Sequence, residues 1–448
     1  MNGYLFEMTT QDVPRGTTKK IFGEKSIRLP VRNQIQYTMS CLDDLLPEEH
    51  RARYVWDYVC QLDMSLFNDE IKVVKGLGGP QTADPKIMLA LWLLAMLEGI
   101  ASARHIARLC KEHHAYIWLC GGISINYHSL SDFRVRNPDG FNKLLQESIA
   151  MMWKTGVFNP DEVAQDGTRV KANAGFSQYR TEKTLIKYLE EANEFIKSLE
   201  DELSKNPSAL TRREKSAKTR AINERAERLK NAKNELEAFK AEKIISAKKN
   251  HNKLTVDDLS KTRCSISDPE CRKMKMGDGG FRLAYNVQFA TSTDSKVILG
   301  VDVVNTLDPG TLVPMIRQVE ENLKEIGCQN PSGWLVDASY ANNGDIEQGK
   351  QDYPDIVIYS NPTSTKKGID PLDPRANDTQ GMKELRNRMK TDEAQKIYKR
   401  RGAAAEFSNA VTKNKGMTEF LVKGLSKVKH MALLYAITHN MMAYFRVT

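Results

Sequence analysis

Trp334-Leu335-Val336-Asp337-Ala338-Ser339-Tyr340 is a short apolar run that delivers a carboxylate at its end. Far upstream, Val163-Ala164-Gln165-Asp166-Gly167-Thr168 does the same. Both runs have the length and side chains of buried strands. Two carboxylates that face each other at strand ends repel unless a cation lies between them. Folding alone disfavours such a pair, so the pattern suits divalent-metal binding and, through it, two-metal phosphoryl transfer. A third acid, Glu406, follows the cluster Tyr398-Lys399-Arg400-Arg401 in a helical stretch.

The flanking segments set a topology. Phe281 to Ala290 alternates, Thr291 to Ser295 turns and Lys296 to Val304 returns, which predicts a β-hairpin over 279–305. Asp308-Pro309 predicts a helix start with Asp308 as N-cap, followed by Leu312, Met315, Ile316 and Val319 on one face. Ile356 to Tyr359 reads as a fifth strand and 360–380 as loop. From Met382 the chain reads as helical, interrupted at Gly402, Gly416 and Gly424. Asp161, Glu162, Asp302, Asp345 and Glu347 read as caps or surface acids.

This order suits an α/β fold, an RNase H-like mixed sheet with a helical-hairpin insertion and an all-α helical domain before it. In such a sheet the first and fourth strands lie side by side in the middle, joined by a right-handed crossover. Asp166 and Asp337 are then neighbours, and Glu406 lies against the same edge. Three carboxylates there would hold two Mg²⁺ about 4 Å apart. Mg²⁺ suits the task because it prefers oxygen ligands and keeps waters that phosphate can replace. Mn²⁺ is the alternative ion.

The expected domains follow the composition. Residues 1–30 form a polar, basic arm. Residues 31–157 form the helical domain. Asp84-Pro85 opens an apolar helix that is too short for the about 20 residues a bilayer span needs. Ser102 caps the next helix, Gly121-Gly122 ends another, Ser129 to Asp132 is a capping-box-like start, and the last helix begins near Phe141. Short helices about a glycine turn suit a helix-turn-helix module, in which Arg134 and Arg136 are either DNA contacts or solvated cations. Residues 158–179 and 251–448 make the sheet domain. Between them, 180–250 carries Leu185, Leu189, Ala192, Ile196, Leu199 and Leu203 stepping by four and three, then Ile222, Leu229 and Leu236 every seven. These predict a coiled-coil hairpin about Asn206-Pro207-Ser208, or two halves that each pair with a second subunit.

The 448 residues carry a net charge of +9, which favours polyanionic partners without naming one. Seven cysteines without a Cys-x-x-Cys pair read as reduced thiols of a cytosolic protein. Cys264 and Cys271 are either a zinc pair or incidental thiols. No signal-like or membrane-spanning segment stands out.

At the acidic positions the chain resembles the DDE transposases of bacterial insertion sequences, in the class with a Tyr-Arg-Glu-Lys signature. Asp166-Gly167-Thr168-Arg169-Val170-Lys171-Ala172-Asn173-Ala174 is similar to the family's first-Asp segment. Lys275 to Gly280 and Tyr285-Asn286-Val287-Gln288 resemble the segment before and within its second strand, and Asp337-Ala338-Ser339-Tyr340 its second-Asp block. Tyr398, Arg401, Glu406 and Lys413 resemble the closing signature, and 85–137 with Phe133-Arg134 resembles the N-terminal helical domain. Ser339 stands where the family commonly has Gly, and Arg401 to Glu406 is one residue longer than the strict signature. The resemblance implies metal binding and catalysis by Asp166, Asp337 and Glu406, and DNA contact by Tyr398, Arg401 and Lys413. It implies a nucleoid-associated cytoplasmic enzyme, acting as a homodimer on double-stranded DNA, that binds terminal inverted repeats, cleaves strands with Mg²⁺ and joins them to target DNA. The alternatives are an inactive DNA-binding relic of such an element and a coiled-coil interaction protein.

Overall fold

The N-terminal region is mostly helical in the computed structural model, which describes residues 41–69, 71, 82–156, 158–205, 212–249, 253–363 and 370–448. The basic arm expected over 1–30 lies outside them. The helices are α1 (Arg51–Cys60), α2 (Ser65–Asn68), α3 (Pro85–Leu97), α4 (Ala103–Glu112), α5 (His114–Cys120), α6 (Tyr127–Arg136) and α7 (Pro138–Lys154). Asp84 caps α3 by accepting from the Lys86 N–H at 2.8 Å, and Pro85 fills the first helical position. From Ile87 to Leu97 every side chain of α3 is buried, so this is a core helix. Among the described residues no helix is long and apolar enough to cross a membrane.

Two starts differ from the sequence expectation. α6 begins before Ser129, because Asn126 accepts from the Ser129 N–H at 2.9 Å and so satisfies a free donor of the first turn. Asn137-Pro138 opens α7 rather than merely ending α6. Asn137 accepts from the Gly140 N–H at 2.7 Å, and proline's fixed φ suits the first position.

The chain continues through β1 (Glu162–Lys171), β2 (Tyr179–Thr181), α8 (Glu182–Lys205), α9 (Arg212–Lys249), α10 (Val256–Ser260), β3 (Arg263–Ser265), β4 (Arg272–Lys275), β5 (Phe281–Ser292) and β6 (Ile298–Val304). Then come α11 (Leu312–Glu325), β7 (Gly333–Val336), α12 (Asn343–Asp352), β8 (Val357–Tyr359), α13 (Gln380–Met389), α14 (Asp392–Asn414) and α15 (Leu425–Tyr444). α8 and α9 lie antiparallel, with Glu182 and Lys240 paired at 2.5 Å. Leu185 and Ala192 meet Leu229, Ala232 and Leu236, and Cys264 joins them at the base. Residues 206–211, which hold the expected turn, are outside the described set.

The main sheet has the order β4-β5-β1-β7-β8, with β6 also on β5. β1 pairs antiparallel with β5 and parallel with β7, and β7 pairs parallel with β8. β1 is longer than the brief run Val163–Gln165 suggests. The long β5 gives a hydrogen-bonding partner to the polar stretch Thr168–Lys171, whereas β7 follows β1 only to Gln165.

α14 crosses this sheet and packs on β1, β5, β7 and β8. Gly402 does not interrupt it, contrary to the sequence expectation. A glycine inside a helix costs about 1 kcal/mol relative to alanine, which packing along such a helix outweighs. α15 is buried along most of its length and joins β6 to α3, α6 and α7, so the helices and the sheet share one hydrophobic core. Each buried Leu, Ile or Met of α15 contributes roughly 1.5–3 kcal/mol.

Among the described residues Cys264 and Cys271 belong to no group of three or more His, Cys, Asp or Glu side chains that could hold a metal ion. Their Sγ–H groups donate to the carbonyls of Pro269 and Asp268 at 3.2 and 3.1 Å. Burial pushes the Cys264 thiol up to about 12 and raises that of Cys271 as well.

Candidate active site

The register of β1 against β7 brings two of the acids together. Gln165 lies opposite Val336 in parallel pairing, so the next position on each chain is Asp166 and Asp337. Adjacent strands are spaced by about 4.8 Å, and side chains alternate between faces. Asp166 and Asp337 therefore share the face of Ala164 and Leu335, which are buried beneath Ala404 and Ala405 of α14. Asp337 accepts from the Ala338 N–H at 2.7 Å and so caps the 3-10 turn Ala338–Tyr340.

Asp166 is enclosed. Asn409 of α14 donates Nδ2–H to its Oδ2 at 2.9 Å. Burial pushes the Asp166 carboxyl up to about 6; Arg401 and the Gly167 N–H oppose this, while Asp308 and Asp337 add to it. A carboxylate raised in this way contributes stability that is fully present below its unfolded value, near pH 4, and is lost as pH rises through 6. The full change is about 3 kcal/mol. Urea denaturation in EDTA should show Asp166→Asn gaining roughly this amount relative to wild type between pH 4 and 7, a difference that isolates Asp166 from the buried His439, whose imidazole burial lowers to about 4 and which acts in the opposite direction.

Asp308 is the residue that sequence reasoning misplaced. Thr311, not Asp308, occupies the N-cap position of α11. Asp308 is 9% exposed and lies beneath β1, where its Oδ1 accepts from Asn286 Nδ2 at 2.9 Å and Gln288 Nε2 at 3.0 Å. Its Oδ2 stands 3.7 Å from Arg169. Gln288 Oε1 accepts from Tyr340 at 2.5 Å and from Gln165 at 3.2 Å, which ties the network to both acid-bearing strands. Gly167 makes room for it, since a Cβ there would fall 2.4 Å from Asp308 Oδ1.

On α14, the Arg401 guanidinium lies 5.9 Å from the Tyr398 ring centre. Burial raises the Tyr398 hydroxyl, with Arg401 opposing and Asp337 adding, so both residues lie near the Asp pair. Arg400 turns away to pair with Glu162 at 2.7 Å, so Glu162 is a partly buried ion-pair partner rather than a free surface acid. Glu406 is exposed, between Arg401 and Asn409, which both act on Asp166. Gly402 leaves open the space beside the Glu406 carboxylate. Asp166 and Asp337 are thus brought together, while among the described residues no three acidic, His or Cys side chains form a closed ligand group. The strict signature spacing would place the acid at 405, where Ala405 is buried against the sheet. Lys413 is exposed in the last turn of α14.

Arg134, expected as a DNA contact or a solvated cation, is instead a packing residue. It is 7% exposed, its guanidinium lies 5.1 Å from the Trp92 ring centre, and Nη1 donates to the Ala101 carbonyl at 3.2 Å. Arg134→Ala should lower unfolding stability by about 2 kcal/mol in urea titration, through lost packing and a lost hydrogen bond. Arg136 is exposed and pairs with Asp132 at 3.0 Å.

Asn409 was not singled out from the sequence. Its signal was a polar Ser408-Asn409 pair beside Ala404 and Ala405, on a helix face that a purely structural role would make apolar.

The family model described as Transposase domain (DUF772) matches residues 40–136, and the one described as Transposase DDE domain matches 367–445. No curated protein and no solved structure gives a match. The second segment contains the whole of α14, and the first contains α3 to α6. The chain therefore carries a DDE transposase domain preceded by an N-terminal transposase domain, the make-up of a DDE transposase.

Proposed function

We propose that the protein binds the terminal inverted repeats of an insertion sequence, cleaves strands in a divalent-metal-dependent reaction and joins the ends to target DNA. The observation that carries this reading is the β1–β7 register, which sets Asp166 and Asp337 side by side under α14. An RNase H-like assignment is supported by the same pairing, because β1 and the strand that follows the β5–β6 hairpin and α11, β7, are parallel neighbours in the main sheet.

The residues fit a hard cation. Asp166 is crowded by Asp308 and Asp337, and the buried Asn409 Oδ1 has no hydrogen-bond partner. Asp166 and Asp337 would hold Mg²⁺ or Mn²⁺, with Glu406 completing the set from α14. When bound, the metal pair activates the attacking oxygen and stabilises the leaving one. The chain's own part is to orient and enclose. Arg401 and Tyr398 hold the scissile phosphate near the Asp pair, and Lys413 and Arg136 meet the backbone further out. Two ends must be joined, so the working form is a homodimer on DNA, in the bacterial cytoplasm at the nucleoid.

The exposure of Glu406 favours one second reading, that of a DNA-binding relic without cleavage. Incubating the full chain with end-bearing DNA and Mg²⁺ separates the two. Nicks at the repeat boundary support the transposase, and tight binding without nicks in Mg²⁺ or Mn²⁺ supports the relic.

A further inference from the structure

We propose that Asn409 is itself a ligand of the divalent ion, its amide oxygen joining the carboxylates of Asp166, Asp337 and Glu406. This rests on the metal-dependent reading above. Asn409 is 8% exposed, and its two amide atoms are treated differently. Nδ2 donates to Asp166 Oδ2 at 2.9 Å, whereas Oδ1 is enclosed without a donor. An ionised carboxylate only accepts, so the Asp166 contact fixes which way the amide faces. A buried carbonyl left unpaired is unfavourable, and proteins seldom retain one. The partner that would answer it must also tolerate Asp166 and Asp337 on the same face. A hard cation meets both requirements, and amide oxygens are ordinary ligands for such ions.

The side chain is also held in place. Ser408 is bonded to Thr291 of β5 at 3.2 Å, and Thr412 Oγ1 bonds back to the Asn409 carbonyl at 3.1 Å. The turn of α14 that carries Asn409 is therefore fixed to the sheet before any ion arrives.

Mn²⁺ binding to the full, DNA-free chain, read by electron paramagnetic resonance of free Mn²⁺, tests this without any activity measurement. Asp166→Asn should lose binding. Asn409→Leu should weaken it about tenfold or more. Asn409→Asp should restore wild-type affinity or better, because an aspartate keeps the ligand oxygen while giving up the N–H that Asp166 receives. Circular dichroism of the metal-free proteins checks folding, and Asn409→Ala replaces the leucine variant if that one is unfolded. Wild-type binding by the leucine or alanine variant, with Asp166→Asn impaired, overturns the ligand role alone. An aspartate variant as weak as the leucine one overturns it too, since loss of the hydrogen bond then explains both. A wild-type chain that binds no Mn²⁺ removes this proposal together with the reading beneath it, whereas loss in Asp166→Asn alone leaves that reading standing.

Discussion

Asp166→Asn is expected to reduce Mg²⁺-dependent nicking of end DNA by about 10³-fold or more, with DNA affinity changed by less than about twofold. Three decades correspond to about 4 kcal/mol of transition-state stabilisation, a reasonable share for one charged ligand. The substitution is isosteric, and an asparagine carbonyl still accepts from Asn409, so the local packing persists. It removes the charge that Asp337 and Asp308 oppose, and the metal-free variant should therefore be the more stable protein near neutral pH. Stability gained as activity is lost is the usual mark of a site kept for chemistry rather than folding. Gel assays of nicking, with fluorescence anisotropy for binding, check both parts. Retained nicking would take Asp166 out of the reaction, and lost binding would assign it to DNA recognition instead.

Gly167→Ala should destabilise the protein by about 3 kcal/mol or more. A Cβ at this position would meet Gln288 Nε2 at 2.3 Å, Asp308 Oδ1 at 2.4 Å and Asn286 Oδ1 at 2.7 Å. These atoms are not free ends that can swing aside. Asp308 holds Asn286 and Gln288, while Gln288 also holds Tyr340 and Gln165, all buried. Making room breaks buried hydrogen bonds, and shifting β1 instead moves Asp166 away from Asp337. Gly175→Ala is the control, because its nearest contact would be an ordinary 3.6 Å to Ser177 Oγ. Urea denaturation measures both. A loss below about 1 kcal/mol for Gly167→Ala would mean that the network is loose and does not fix the strand.

Much of the sheet was legible because its signals are local. Trp334 to Val336 and the alternating hairpin strands announce themselves by apolar pattern, and their order leaves few ways to connect them. The side-by-side placement of Asp166 and Asp337 followed from that order. What local pattern misses is the direction of a side chain across elements. Asp308-Pro309 has the letters of a helix cap, yet the chain delays α11 to Leu312 and Asp308 reaches beneath β1 instead. Arg134 has the sequence context of a surface cation, and only the approach of α3 puts the Trp92 ring under it. Glu406 was correctly assigned to a helix, but a run of Ala403, Ala404 and Ala405 before it gave no clue that 405 faces the sheet and 406 the solvent. Asn409 went unread because a single asparagine carries no pattern of its own.

Anomalous diffraction from crystals of the full chain grown with Mn²⁺ and repeat-end DNA tests the central claim most directly. The expected result is a manganese peak at the Asp166 and Asp337 carboxylates, with Glu406 of α14 and the DNA backbone beside it. Manganese bound elsewhere, with these two carboxylates empty in a DNA-occupied crystal, would contradict it.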